Sequence, residues 1–202
     1  MLTSPASPDA FPHAPCDGLI LAGGAGRRVG GQDKGWLRWQ GEALIQHATA
    51  RLSPQVDRVL ISANRSLEQY ARLGHPVLCD LRDGFCGPLA GVEAGLLSTR
   101  ADLLLCVPCD APGFPLDLRT RLEAALTESD DAAVVSLNGR LQPVFALLRV
   151  HTRTRLREYL DAGGRKVGAW LGSLSLRPVD FSDQAEAFEN RNHPESLDPA
   201  TS

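Results

Sequence analysis

No run of about eighteen apolar residues, the minimum for a membrane-spanning helix, occurs in this sequence. The first fifteen residues hold four prolines, Pro5, Pro8, Pro12 and Pro15, but neither the basic start nor the apolar core of a secretion signal. An excess of one charge is lacking too. A net charge of −3 supplies no broad basic field for a nucleic acid backbone, although a local basic pocket is compatible with it. A secreted disulfide framework is missing as well, because five cysteines is an odd number and no spacing suggests one. Membranes, nucleic acids and oxidising surroundings are all disfavoured, and a cytoplasmic setting is expected.

What is present is ordinary for a globular chain: 43% hydrophobic and 22% charged residues exclude a wholly disordered one. At 202 residues one well-buried domain is favoured over two. The expected division is a disordered tail over 1–16, a single domain over 17–197 and a short disordered tail over 198–202.

The most informative stretch is Leu19-Ile20-Leu21-Ala22 followed by Gly23-Gly24-Ala25-Gly26-Arg27-Arg28-Val29-Gly30-Gly31-Gln32-Asp33-Lys34. Residues 19–22 have no polar side chain, which suits a strand covered on both faces and hence a mainly parallel sheet. Five glycines then let the backbone come close to a ligand, and its amides can form a concave anion site with Arg27, Arg28 and Lys34 around it. Neither familiar phosphate loop fits. Lys34 follows Asp33 and precedes Gly35, so G-x-x-x-x-G-K-[ST] is absent, and Val29 stands where the third glycine of G-x-G-x-x-G would be.

Further along, residues 42–52 carry Leu44, Ile45, Ala48 and Leu52 at helical spacing. Residues 57–62 read as a second buried strand ending near Asn64, whose amide suits a base edge or ribose hydroxyl as well as a plain turn. A short helix over 66–73, with Ser66 as its cap, precedes a third strand that ends at Asp80. A long loop then leads to a helix over 88–98, opened by Pro88, whose N-terminus can face an anion. The most apolar strand, 102–107, runs into Pro108-Cys109-Asp110-Ala111-Pro112, where Asp110 is placed either as a Mg²⁺ ligand or in an Asx-turn. Cys106-x-x-Cys109 has the spacing of half a zinc site or a redox pair, with Cys79 and Cys86 as possible neighbours. Its position in an apolar strand favours plain burial.

Residues 116–126 read as a helix. Strands over 132–137 and 144–148 flank Asn138-Gly139, a strong hairpin signal that implies an antiparallel strand or small β insertion. After a helix over 151–159, Asp161-Ala162-Gly163-Gly164-Arg165-Lys166 is a second glycine-and-basic segment able to grip an anion. A last strand is expected over 177–181, then a short helix at Pro194.

Several of these motifs together resemble the molybdenum cofactor guanylyltransferases, a nucleotidyltransferase family. They are Leu21-Ala22-Gly23-Gly24 with Gly30-Gly31-Gln32-Asp33-Lys34-Gly35, Ala63-Asn64-Arg65, and Asp80 with Gly87-Pro88-Leu89-Ala90-Gly91. Cys109-Asp110 with Pro112, and Phe188-Glu189-Asn190-Arg191-Asn192 with Pro194, complete the set. The resemblance implies a three-layer, Rossmann-like α/β fold, with GMP transferred from GTP to the terminal phosphate of molybdopterin. It implies Leu21, Ala22, Gly23, Gly24, Lys34, Asn64, Asp80 and Asp110 at the nucleotide, Mg²⁺ on Asp110, and Arg28, Lys34 and Asp110 as catalytic residues. Arg165, Lys166, Asn190 and Asn192 fall where the family receives the pterin. Other cofactor-biosynthesis proteins and apo-molybdoenzymes or their chaperones are implied partners. Departures exist: Val29 replaces a usual methionine, and Gln142 precedes Pro143 where many relatives have histidine, so this position cannot carry charge near neutral pH.

A pterin phosphate attacking the α-phosphorus needs no general base, which agrees with the lack of histidine in these motifs. Two other readings stay open: a CTP-dependent or sugar-phosphate nucleotidyltransferase of the same fold, and a non-catalytic GTP- and pterin-binding module.

Overall fold

The computed structural model describes residues 14–23, 33–82, 87–191 and 197. Gly24, Arg28, Cys86, Asn192, the helix expected at Pro194, most of the expected tail 1–16 and all of the expected tail 198–202 lie outside them.

All six residues of β1 (Cys16–Leu21) are buried, as the apolar run requires. Alternation along the strand splits them between two cores: Cys16 and Ile20 pack on one face of the sheet, Leu19 and Leu21 on the other. β1 pairs in parallel with β4 (Arg58–Ser62) on one side and with β6 (Leu103–Pro108) on the other, and β4 in turn with β5 (Val77–Leu78). β7 (Ala132–Leu137), β8 (Arg140–Arg149) and β9 (Leu176–Asp180) complete a seven-stranded sheet in the order β5-β4-β1-β6-β8-β7-β9. β8 is antiparallel to both β6 and β7, while β9 is parallel to β7. The hairpin turn is Asn138-Gly139, both at positive φ, so the antiparallel strand sits inside the main sheet rather than in an insertion.

Helices cover both faces. Residues of α1 (Leu44–Leu52) and α4 (Leu118–Ala125) join the core that holds Ile20. Those of α3 (Pro88–Ser98), α5 (Arg153–Asp161) and α6 (Val167–Leu171) join the core of Leu19. The three-layer, mainly parallel α/β fold expected from the sequence is therefore present.

Several elements differ from expectation. β1 opens at Cys16, one residue before the expected domain start. Residues 42–43 are not helical but form β3 (Glu42–Ala43), which pairs with β2 (Arg38–Trp39) around Gln40 and Gly41 at positive φ. The Gln46 side chain then returns to the Ala43 N–H and starts α1. Ser66 precedes α2 (Leu67–Ala71) in the left-handed region and makes no side-chain cap bond. Its backbone carbonyl carries the turn by accepting from the N–H groups of Gln69 and Tyr70.

Strand order reverses between β1 and β6, since the chain runs outward to β4 and β5 before crossing back. That leaves a crevice beyond the carboxyl ends of these two strands, where open α/β sheets take their ligands. α3 closes one side. A Cβ on Gly91 would stand 3.0 Å from Leu21 Cδ2 and 3.1 Å from Ser62 Cβ, so only glycine lets the helix approach the strand ends this closely. Gly87, at φ +67°, turns the chain into the helix so that Pro88 faces the crevice.

Candidate functional site

The crevice contains a cavity of about 250 Å³ lined by Leu21, Ala22, Gly23, Lys34, Pro88, Pro108, Cys109, Asp110, Val144 and Asn190. Six separated segments meet there: the end of β1, the turn carrying Lys34, the start of α3, the end of β6, β8 and the segment after Phe188.

Lys34 is aimed by its neighbours. Asp33 caps the short 3₁₀ turn Lys34–Trp36 by accepting from the Gly35 N–H at 3.2 Å, and the same oxygen accepts from the buried Tyr70 hydroxyl at 2.7 Å. Burial, and then this bond to Asp33, push the Tyr70 hydroxyl well above its ordinary range, so it stays protonated as the donor. Lys34 Nζ is thereby brought 3.4 Å from Asp110 Oδ2, with both side chains partly open to solvent.

Asp110 is held from behind. Cys109 N–H donates to the Leu21 carbonyl at 3.2 Å, and Arg191 N–H donates to the Asp110 carbonyl at 2.6 Å. The carboxylate is thus fixed by main-chain bonds that do not consume its oxygens. Among the described residues no three His, Cys, Asp or Glu side chains converge to hold a metal. One hard carboxylate beside a cavity is nevertheless the donor set that suits Mg²⁺, which takes one or two carboxylates and completes its shell with water and substrate phosphates.

Asn64 borders the site at Gly23: its Nδ2 would lie 3.5 Å from a Cβ there. Its Oδ1 accepts from the Asp80 N–H at 2.8 Å, joining the ends of β4 and β5. Burial raises the Asp80 carboxyl above the usual carboxylate range, and a hydrogen bond from the Asn64 side chain draws it partly back.

Of the expected site residues, Leu21, Ala22, Gly23, Lys34, Asp110 and Asn190 line one cavity, while Asn64 and Asp80 form a linked pair at its Gly23 edge. Arg165 goes elsewhere. Its guanidinium donates to the carbonyls of Leu160 and Gly164 at 3.0 and 2.6 Å, closing the end of α5, where four carbonyls lack helical partners. Lys166 is exposed and, like Arg165, is not among the cavity-lining residues. Gln142 is half-buried on β8, and the neighbouring Pro143 lines a small apolar recess with Trp170.

Cys106 and Cys109 are not paired with each other. Both are free, buried thiols pushed up by desolvation, with the Asp110 charge adding to the effect at Cys109. Asp33 and Tyr70 were not read as site-forming from the sequence. Asp33 immediately before the basic residue was a capping signal, whereas nothing local marked Tyr70.

Residues 18–176 match the family described as the MobA-like NTP transferase domain. A molybdenum cofactor guanylyltransferase of Shewanella loihica is 46% identical over 180 residues, spanning 89% of this chain and 92% of that one. One from Shewanella amazonensis is 45% identical over 183 residues, 90% and 93% of the two chains. Among solved structures, the molybdopterin-guanine dinucleotide biosynthesis protein A of Archaeoglobus fulgidus superposes with a TM-score of 0.73 at 21% identity, covering 89% and 94%. The 2-C-methyl-D-erythritol 4-phosphate cytidylyltransferase of Thermus thermophilus does so at 0.64 and 19%, covering 88% and 93%, a likeness of fold. On the extent and identity of these matches, the chain belongs to the molybdenum cofactor guanylyltransferase family of MobA-like NTP transferases.

Proposed function

We propose that this protein transfers GMP from GTP to the terminal phosphate of molybdopterin, giving molybdopterin guanine dinucleotide and pyrophosphate. The observation that carries this reading is the cavity in which the main chain of residues 21–23, the Lys34 ammonium and the Asp110 carboxylate converge at the end of a parallel sheet, in a chain of this family.

An acceptor phosphate oxygen attacks the α-phosphorus, the bond to the β-phosphate oxygen breaks, and pyrophosphate leaves. Nucleophile and electrophile are both anionic, so the protein's work is to hold them together and to offset charge. Gly23 at the end of β1 meets the triphosphate through its amide, and Gly24 and Arg28 are further phosphate contacts. Lys34 offsets charge gathering on the leaving pyrophosphate. Asn64 and Asp80 contact the nucleoside beside Gly23. Asp110 would hold Mg²⁺, which would supply neutralisation of phosphate charge there. Lys166, Asn190 and Asn192 receive the pterin, and Arg165 frames that side by closing α5.

Residues 17–197 act as one nucleotidyltransferase domain. No described helix is long and apolar enough to cross a membrane, and a reducing cytoplasm suits the free thiols of Cys16, Cys79, Cys106 and Cys109. Other cofactor-assembly proteins, apo-molybdoenzymes or their chaperones would take the product.

The test is pyrophosphate release with Mg²⁺ and purified molybdopterin, comparing GTP with CTP, ATP and UTP. Release with GTP alone supports the assignment. Release with CTP instead would transfer it to cytidylyl chemistry, and silence with all four would favour a binding module.

A further inference from the structure

Arg82 stands two residues beyond Asp80 and is engaged on two sides. Its Nε and Nη2 donate to Oε2 and Oε1 of Glu93, each at 2.7 Å, while Nη1 donates to Oδ1 of Asp161 at 2.6 Å. Glu93 lies on α3 and is only 5% exposed. A buried carboxylate of this kind requires a partner, and the planar guanidinium fork satisfies both of its oxygens. Asp161 is different: it is the exposed last residue of α5, directly ahead of the segment 162–166.

One side chain therefore connects three pieces of the site. These are the strand end that presents Asp80, the helix whose Pro88 lines the cavity, and the glycine-and-basic segment that carries Lys166. The same juncture is close-packed through the main chain, since a Cβ on Gly87 would stand 3.8 Å from the Arg165 carbonyl oxygen. An exposed ion pair such as the one to Asp161 adds little to stability. What it does supply is a fixed register between the segments, and lysine, a single point charge, cannot reproduce a guanidinium that bridges two carboxylates.

We propose that Arg82 is a positioning residue that sets the acceptor-side segment 162–166 against the nucleotide-side turn at Asp80, acting through Asp161. This rests on the reading of Lys166 as part of the acceptor site.

Arg82→Ala would strand Glu93 and risks misfolding, so the decisive variant is Asp161→Asn in the full chain, with Arg82→Lys alongside. Arg157→Ala is the control, because Arg157 also pairs with Asp161, at 3.9 Å on the same helix. Steady-state pyrophosphate release is followed while GTP and molybdopterin are varied separately. In Asp161→Asn the KM for molybdopterin should rise about fivefold, the low end of ordinary coupling between sites. The KM for GTP, kcat and Tm should stay near wild type. Arg82→Lys should raise both KM values, and Arg157→Ala neither. An unchanged molybdopterin KM in Asp161→Asn, an equal rise in Arg157→Ala, or a joint fall in kcat and Tm would overturn the proposal. Wild-type protein inactive with GTP and molybdopterin would overturn the functional reading itself, and this inference with it.

Discussion

Lys34 Nζ lies 3.4 Å from Asp110 Oδ2, across 76 positions of sequence. The pair places an ammonium next to the carboxylate proposed to hold Mg²⁺, on the wall of one cavity. In the proposed function each therefore bears on the same phosphates. Lys34→Ala should lower kcat/KM for GTP by about 10²- to 10³-fold, the range for removing one group that stabilises developing charge. Asp110→Ala should abolish measurable turnover while circular dichroism and Tm remain native. The double variant should be scarcely worse than Asp110→Ala, because groups acting as a unit are not additive. Full activity of Asp110→Ala with Mg²⁺ would remove the metal assignment.

Asp80 gives a pH dependence with a definite sign. Burial raises its carboxyl above the ordinary value of 3.8, so it takes up a proton at a higher pH than a solvated aspartate. In its proposed role as an acceptor of nucleoside hydrogen bonds it acts best ionised, with both oxygens free to accept. The KM for GTP should accordingly rise as pH falls through this raised value, and Asp80→Asn should flatten that rise. Asn64→Ala, by removing a bond that lowers the same pKa, should move the rise to higher pH. For folding the sign is opposite: an acid whose pKa is raised by the fold adds stability as pH falls, since the native state then binds the extra proton. GTP titrations and denaturant unfolding over one pH series separate the two effects.

Gly91→Ala should cost about 1–3 kcal/mol, the usual penalty of overpacking, because its Cβ would meet Leu21 and the Ser62 side chain. Ser62→Ala in the same chain should recover only part of this, as Ser62 Cβ itself would be 3.1 Å away. Urea midpoints at unchanged m-value measure both.

Thiol chemistry distinguishes the cysteines. Burial pushes Cys16 up to about 12 and holds Cys106 and Cys109 above the ordinary range, so none of the three offers a thiolate near neutral pH. Cys79 is exposed. A thiol reagent should modify Cys79 in the native protein and reach Cys16, Cys106 and Cys109 only on unfolding, and Cys106→Ser should retain turnover. Fast labelling of Cys109 with loss of activity would contradict this.

Much of the site was legible because it lies in runs of chain with their own chemistry. An apolar strand passing into glycines, an aspartate directly after the most apolar strand and an Asn-Gly turn each state a local requirement of backbone or solvent. Those requirements placed Gly23 and Asp110 at strand ends and β7 beside β8, as observed. Other parts were illegible for an equally physical reason. β2 and β3 are two residues each, too short for a period to show, and Glu42 and Ala43 run straight into an apolar pattern that reads as one helix.

The destination of a long cationic side chain is not written in its neighbours at all. Arg165 and Lys166 looked alike in the sequence as anion-grippers, yet the Arg165 guanidinium turns back onto the Leu160 and Gly164 carbonyls at the end of α5. Arg82 looked like an ordinary loop residue, and only folding brings it to Asp161, 79 positions away. The sequence by itself determined the mainly parallel sheet, the glycine at the end of β1 and the acid at the end of β6, since hydrophobic pattern and backbone freedom are properties of short segments. Tertiary structure alone decided that Tyr70 bonds Asp33, that Lys34 meets Asp110, and that Arg82 joins Glu93 of α3 to Asp161 of α5. Those are choices among charged and polar partners, and a partner exists only once distant segments have been packed within hydrogen-bonding reach.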